Sequence, residues 1–172
     1  MMNYPSLSFP VSKVREQILN DISLKENYIK SWYCEKKWTK NDFDFSTIAT
    51  DTQGNSIAIS SCKLMPDKTL KILCHFYVMR KMRSIYPSIS HTDFTPHYVK
   101  YAKEHSLKGV WFSVHCFNDR QKRHKKAVIR SLNGGLQDLK FQPYACLFKY
   151  EGEIQYNSVT QSKFLYLINE GE

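Results

Sequence analysis

The chain has 172 residues, a formal net charge of +9 and an ordinary apolar share of 42%. Its ten Phe, eleven Tyr and three Trp exclude a disordered chain, because such side chains are there to be buried. One domain covering residues 1–172 is expected around a single core. No apolar run reaches the ~18 residues of a membrane span, and "MMNYPSLSFPVSKV" lacks the order of a secretory leader, so a protein kept in the cytoplasm is expected.

Within residues 11–22, Val14, Ile18 and Ile22 recur at helical spacing, and Ser23 to Glu26 forms a capping-box pattern that opens a second helix with Leu24, Tyr28 and Trp32 in register. After "TKNDFD" the period changes. The runs "FSTIATD", "SIAISSCKLM" and "LKILCHFYVM" are rich in strand formers and are separated by the turn sequences "TQGN" and "PDKT", which predicts a three-strand antiparallel meander. Thr95 and Pro96 then read as the N-cap and first turn of a helix with Tyr98, Val99 and Ala102 on its apolar stripe, stopped by "SLKG".

Val110 to Cys116 is apolar on both faces, as expected of an interior strand joined in parallel to the one ending near Met79. The helix predicted from Asp119 to Leu132 carries a stripe of Phe117, Val128 and Leu132 with Ala127, which turns Gln121 and His124 inward. "NGG" ends it, and two further strands complete the chain. The order is that of a mixed α/β sheet: an antiparallel meander followed by a strand–helix–strand parallel crossover.

Cys34, Cys62, Cys74, Cys116 and Cys146 are odd in number and contain no CxxC pair, so neither a disulfide framework nor a zinc site is expected. Cations dominate "RQKRHKKAVIR", which holds Arg120, Lys122, Arg123, Lys125, Lys126 and Arg130 with no acid. Such a stretch favours anionic partners, nucleic acid among them, or forms a solvated face.

The element order, with strand–helix–strand–Asn–helix at its centre, resembles the GCN5-related N-acetyltransferase (GNAT) family over roughly residues 43–169. The resemblance implies two central strands that splay apart and admit the pantetheine arm of acetyl-CoA or a related acyl-CoA, for transfer of the acyl group to an amine. It implies that the backbone of Tyr77, Val78 and Met79 meets the arm and that Asn118 hydrogen-bonds it. "LKFQPY" resembles the family's turn into the sixth strand, with Lys140 where Gly is usual.

The sequence also departs from the family. No glycine lies between Asn55 and Lys108, so the glycine-rich diphosphate loop is absent. Either Arg80, Lys81 and Arg83 substitute for its backbone donors, with Arg123 adding charge, or the diphosphate site is lost. The family's usual Glu and Tyr for proton handling have no counterpart here either. His75, His115 and Tyr77 are the remaining catalytic candidates, with His124 facing inward. The excess cations make a neutral or anionic acceptor the expected one. The rival readings are a basic nucleic-acid-binding module and a GNAT-like binding protein without catalysis.

Overall fold

The computed structural model describes residues 6–9, 43–77, 85, 91–132, 148–156 and 158–169. The helices expected over 11–22 and from Ser23 onward lie outside these residues, as does "LKFQPY". Seven strands and two helices are described: β1 (Ser6–Phe9), β2 (Phe45–Thr50), β3 (Ser56–Leu64), β4 (Thr69–Tyr77), α1 (His91–Glu104), β5 (Gly109–His115), α2 (Asp119–Leu132), β6 (Lys149–Tyr156) and β7 (Val159–Leu167). They form one mixed sheet in the order β1-β2-β3-β4-β5-β7-β6. Every neighbouring pair is antiparallel except β4 and β5. The expected meander, crossover and terminal hairpin are therefore present, and β1 is an addition that the sequence pattern did not announce.

The turns show why the meander folds where it does. Asp51 Oδ1 accepts from the backbone N–H of Gln53 at 2.9 Å and of Asn55 at 2.8 Å, while Gly54 takes a φ of +85°. These contacts close the β2–β3 hairpin with side-chain acceptors in place of water. In the β3–β4 turn Asp67 Oδ1 accepts from the Thr69 hydroxyl at 2.6 Å, and Lys68 occupies the left-handed region at φ +63°.

Both helices pack on one face of the sheet. Tyr98 of α1 donates a hydrogen bond to the Ser60 hydroxyl and packs edge-on against Phe45, and Phe45 also stacks on Tyr101 at 4.5 Å. Val128 of α2 joins the same buried cluster as Val110, Phe112, Val114 and Phe164. By alternation along the strands, Ile48, Ile59, Lys71 and Trp111 belong to the opposite face.

Helix α1 begins at His91, so Thr95 is not its N-cap: Thr95 is buried inside the helix and Pro96 is exposed in its second turn. Burial of Phe94 beside Tyr98, one turn apart, favours winding the chain ahead of the proline. The helix ends where "SLKG" predicts. Leu107 N–H reaches Ala102 O at 2.8 Å, Ser106 N–H reaches Lys103 O at 3.1 Å, and Ser106 sits at φ +51°. This is a Schellman end with serine in the glycine position. Phe117, expected in the stripe of α2, is 64% exposed and tilts against His115 instead. It precedes the first helical residue, and its backbone N–H is held by Gln121 Oε1 at 2.8 Å, which fixes the chain's entry with the ring outside. No helix among the described residues is long and apolar enough to cross a membrane.

Gly109 opens β5 between Thr69 and Leu167, and a Cβ built there would lie 2.5 Å from Tyr166 O. Since the obstacle is backbone, Gly109→Ala should destabilise the fold by roughly 1–3 kcal/mol. A lowered urea midpoint at unchanged slope checks this.

Candidate active site

The sheet is interrupted between its two parallel strands. Pairing begins with Lys108 N–H donating to Lys68 O at 2.8 Å and continues through Thr69↔Gly109, Leu70↔Val110 and Lys71↔Trp111. Beyond Lys71 and Trp111, β4 stays paired to β3 and β5 to β7, yet no β4–β5 pair occurs among the described residues. An irregularity lies on the other edge of β4. Ser61 pairs with Cys74 but Cys62 pairs with Ile72, so Leu73 is an extra residue. Such a bulge bends its strand and increases the twist, and here it falls two residues after the last parallel pair. The strands part as the resemblance implied, with α1 and α2 on the same side of the opening.

The expected site residues fall around this fork unevenly. Tyr77 ends β4 opposite Ala58, half-buried against the core. His115 ends β5 and is exposed, paired to Gln161 and tilted against Phe117 with ring centres 5.4 Å apart. His75 pairs with Ser60 in the backbone ladder, and its side chain lies outside the described residues. Val78, Met79, Arg80, Lys81 and Arg83 also lie outside them.

Asn118 stands at the head of α2, where its Oδ1 accepts from Gln121 N–H at 2.9 Å and its carbonyl accepts from Lys122 N–H at 3.0 Å. It is the N-cap of the helix, and Gln121 returns the contact through Phe117. Among the described residues the Asn118 Nδ2 group has no partner. The cations of α2 also divide. Lys125 bonds Glu153 at 3.0 Å and Lys122 lies 4.0 Å from Asp119, whereas Arg120, Arg123, Lys126 and Arg130 are exposed. Among the described residues no group of three His, Cys, Asp or Glu could hold a metal ion.

Sequence reasoning passed over Lys71. It forms the last parallel pair, at the fork itself, and is 3% exposed. Its Nζ lies 3.0 Å from the centre of the Tyr156 ring and 4.5 Å from that of Trp111. Trp111 is fixed by donating from Nε1 to Thr69 Oγ1 at 2.8 Å, and Lys163 Nζ stands 4.9 Å from the same ring. No carboxylate pairs with Lys71 among the described residues. Burial pushes its ammonium down from the ordinary 10.5 to about 7. A lysine inside an apolar strand pattern was the available signal, but nothing in the sequence brings Tyr156 to it.

The same architecture occurs in solved N-acetyltransferases. An acetyltransferase of the GNAT family from Staphylococcus aureus Mu50 superposes with a TM-score of 0.52 over 97% of this chain and 100% of that one, at 8% identity. The spermidine/spermine N-acetyltransferase of Vibrio cholerae superposes with a TM-score of 0.51 over 96% and 95% of the two chains, at 9% identity. No family model and no curated protein matches the sequence. The chain has the GNAT fold.

The buried lysine has a consequence for stability. Below about pH 7 both folded and unfolded chains hold its proton, and the cost of burying the ammonium is fully present. Between about 7 and 10.5 the unfolded chain holds a proton that the folded chain does not, so this contribution to stability improves as pH rises. Lys71→Met should therefore be more stable than the parent, by a margin largest below pH 7 and shrinking toward pH 10.5. Urea denaturation of the two proteins across that range measures it.

Proposed function

We propose that the chain is an acyl-CoA-dependent N-acyltransferase that carries an acetyl or related group to an amine. The observation that supports this most is the parting of β4 from β5 after three ladder pairs, at a bulge. A pantetheine arm alternates amide donors and acceptors along an extended chain, and it fits an opened sheet edge as an added strand. The α1 and α2 helices pack on one side of that opening, and the GNAT fold of the chain accords with the same use.

In this reading the backbone of Tyr77, Val78 and Met79 meets the arm, and the Asn118 Nδ2 group donates to it. Arg80, Lys81 and Arg83, with Arg123 from α2, face the phosphates in place of a glycine-rich loop. Bound acyl-CoA would supply an activated thioester carbonyl. The chain would hold that carbonyl in one place, orient the amine toward it and take up the amine's proton, with His115, His75 and Tyr77 the acceptors suggested by the sequence. The exposed Arg120, Lys126 and Arg130 disfavour a polycationic acceptor, so the acceptor is a neutral or anionic amine.

Calorimetric titration with acetyl-CoA tests the reading. Saturable binding and a raised melting temperature are expected, with about 2.7 kcal/mol of added stability at 100 times Kd. If millimolar acetyl-CoA gives neither, while oligonucleotides bind with a steep salt dependence, the module reading takes its place.

Asn118 supplies a second check. Asn118→Ala should lose ~1 kcal/mol of stability through the helix cap. Asn118→Asp keeps a capping oxygen but removes the amide donor, and it should bind CoA about fivefold more weakly at unchanged stability. Equal affinity in Asn118→Asp would remove the side chain from the cofactor site.

A further inference from the structure

We infer that Lys71 is the proton acceptor of the transfer, taking the proton that the attacking amine must lose at the closed end of the fork. The inference rests on the acyl-CoA reading and goes beyond the residues the sequence suggested. Its first support is place. Lys71 is the last paired residue before β4 and β5 part, so it borders the deepest point that a thiol-bearing arm lying between the strands can reach. Its side chain belongs to the sheet face opposite α1 and α2, beneath the rings of Tyr156 and Trp111.

The second support is its surroundings. Among the described residues, the charged and titratable groups facing it are Lys63, paired directly opposite on β3, Lys163 on β7 and Tyr156 on β6. Glu151 of β6 lies 3.7 Å from Lys163 and so answers that charge instead. A neutral amine is thus favoured at rest by burial. The π-faces of Tyr156 and Trp111 still offer a seat for the ammonium once it forms.

The step balances as follows. The acceptor nitrogen attacks the thioester carbonyl carbon, the carbon–sulfur bond breaks, and CoA departs with the electron pair on sulfur. The nitrogen gives one proton to Lys71 Nζ, and the resulting ammonium passes a proton to the thiolate or to solvent. With water in place of the amine, the same sequence yields a carboxylate and CoA thiol.

Acetyl-CoA with water as the acceptor is therefore a usable probe, read as CoA thiol release. The parent rate should rise with pH through a midpoint near 7 and then level. Lys71→Met and Lys71→Arg should each lose ~10²- to 10⁴-fold in rate, lack that limb, and bind acetyl-CoA within about twofold of the parent, with thermal melting to show that they fold. A parent-like rate and pH profile in Lys71→Met overturns the inference.

A second measurement needs no turnover. The ε-carbon resonance of Lys71, assigned by its loss in Lys71→Arg, should titrate near pH 7 and shift on adding CoA. An ordinary midpoint of about 10.4 overturns the assignment whether or not thiol is released. Failure of acetyl-CoA to bind the parent at all is the separate result that removes the reading beneath it.

Discussion

The structure turns on a backbone constraint: among the described residues β4 is paired on both edges only as far as Lys71. Leu73 is one residue too many for the ladder with β3, and such an extra residue bends its strand and increases the twist. Holding the closed end are Thr69, Leu70 and Lys71 against Gly109, Val110 and Trp111, reinforced by the Lys108 to Lys68 hydrogen bond. Continuity on the outer edges, through β3 and β7, keeps the parted strands extended where isolated segments would collapse. The opening is thus paid for by the rest of the sheet.

A second tension is laid over the first. An ammonium in a 3% exposed position is costly, and a hydrophobic side chain in its place would favour folding more. Retaining Lys71 there opposes stability at the point where the sheet opens. Trp111 in turn is anchored by Thr69, whose hydroxyl donates to Asp67 in the preceding turn. The aromatic wall beside the lysine is therefore set by a short chain of hydrogen bonds that begins in the β3–β4 hairpin.

Much of this was legible in the order of the elements. A strand run such as "SIAISSCKLM" is bounded by turn chemistry strong enough to place it within a residue or two, because the Asp51 carboxylate caps the turn's backbone N–H groups and Gly54 takes a φ of +85° that other residues rarely adopt. The parallel crossover followed from the two-sided apolar character of β5. Less visible was anything dependent on pairing across distance. Ser6–Phe9 is only four residues long and becomes a strand by adding to β2, a partner about forty positions away. Phe117 looked like a core residue because its spacing fits α2, yet the cap formed by Asn118 and Gln121 starts the helix just after it and leaves the ring outside. Lys71 reads locally as a polar interruption in a strand; only the β6–β7 hairpin, which carries Tyr156 to it, gives that position its character.

Gly109 gives the fork its mechanics. With Tyr166 O pressed against the space where a side chain would start, the base of the two parallel strands has no slack. Above it the two main chains are held to each other through Leu70, Lys71, Val110 and Trp111, so the floor of the opening is set by backbone and not by side chains that could turn aside.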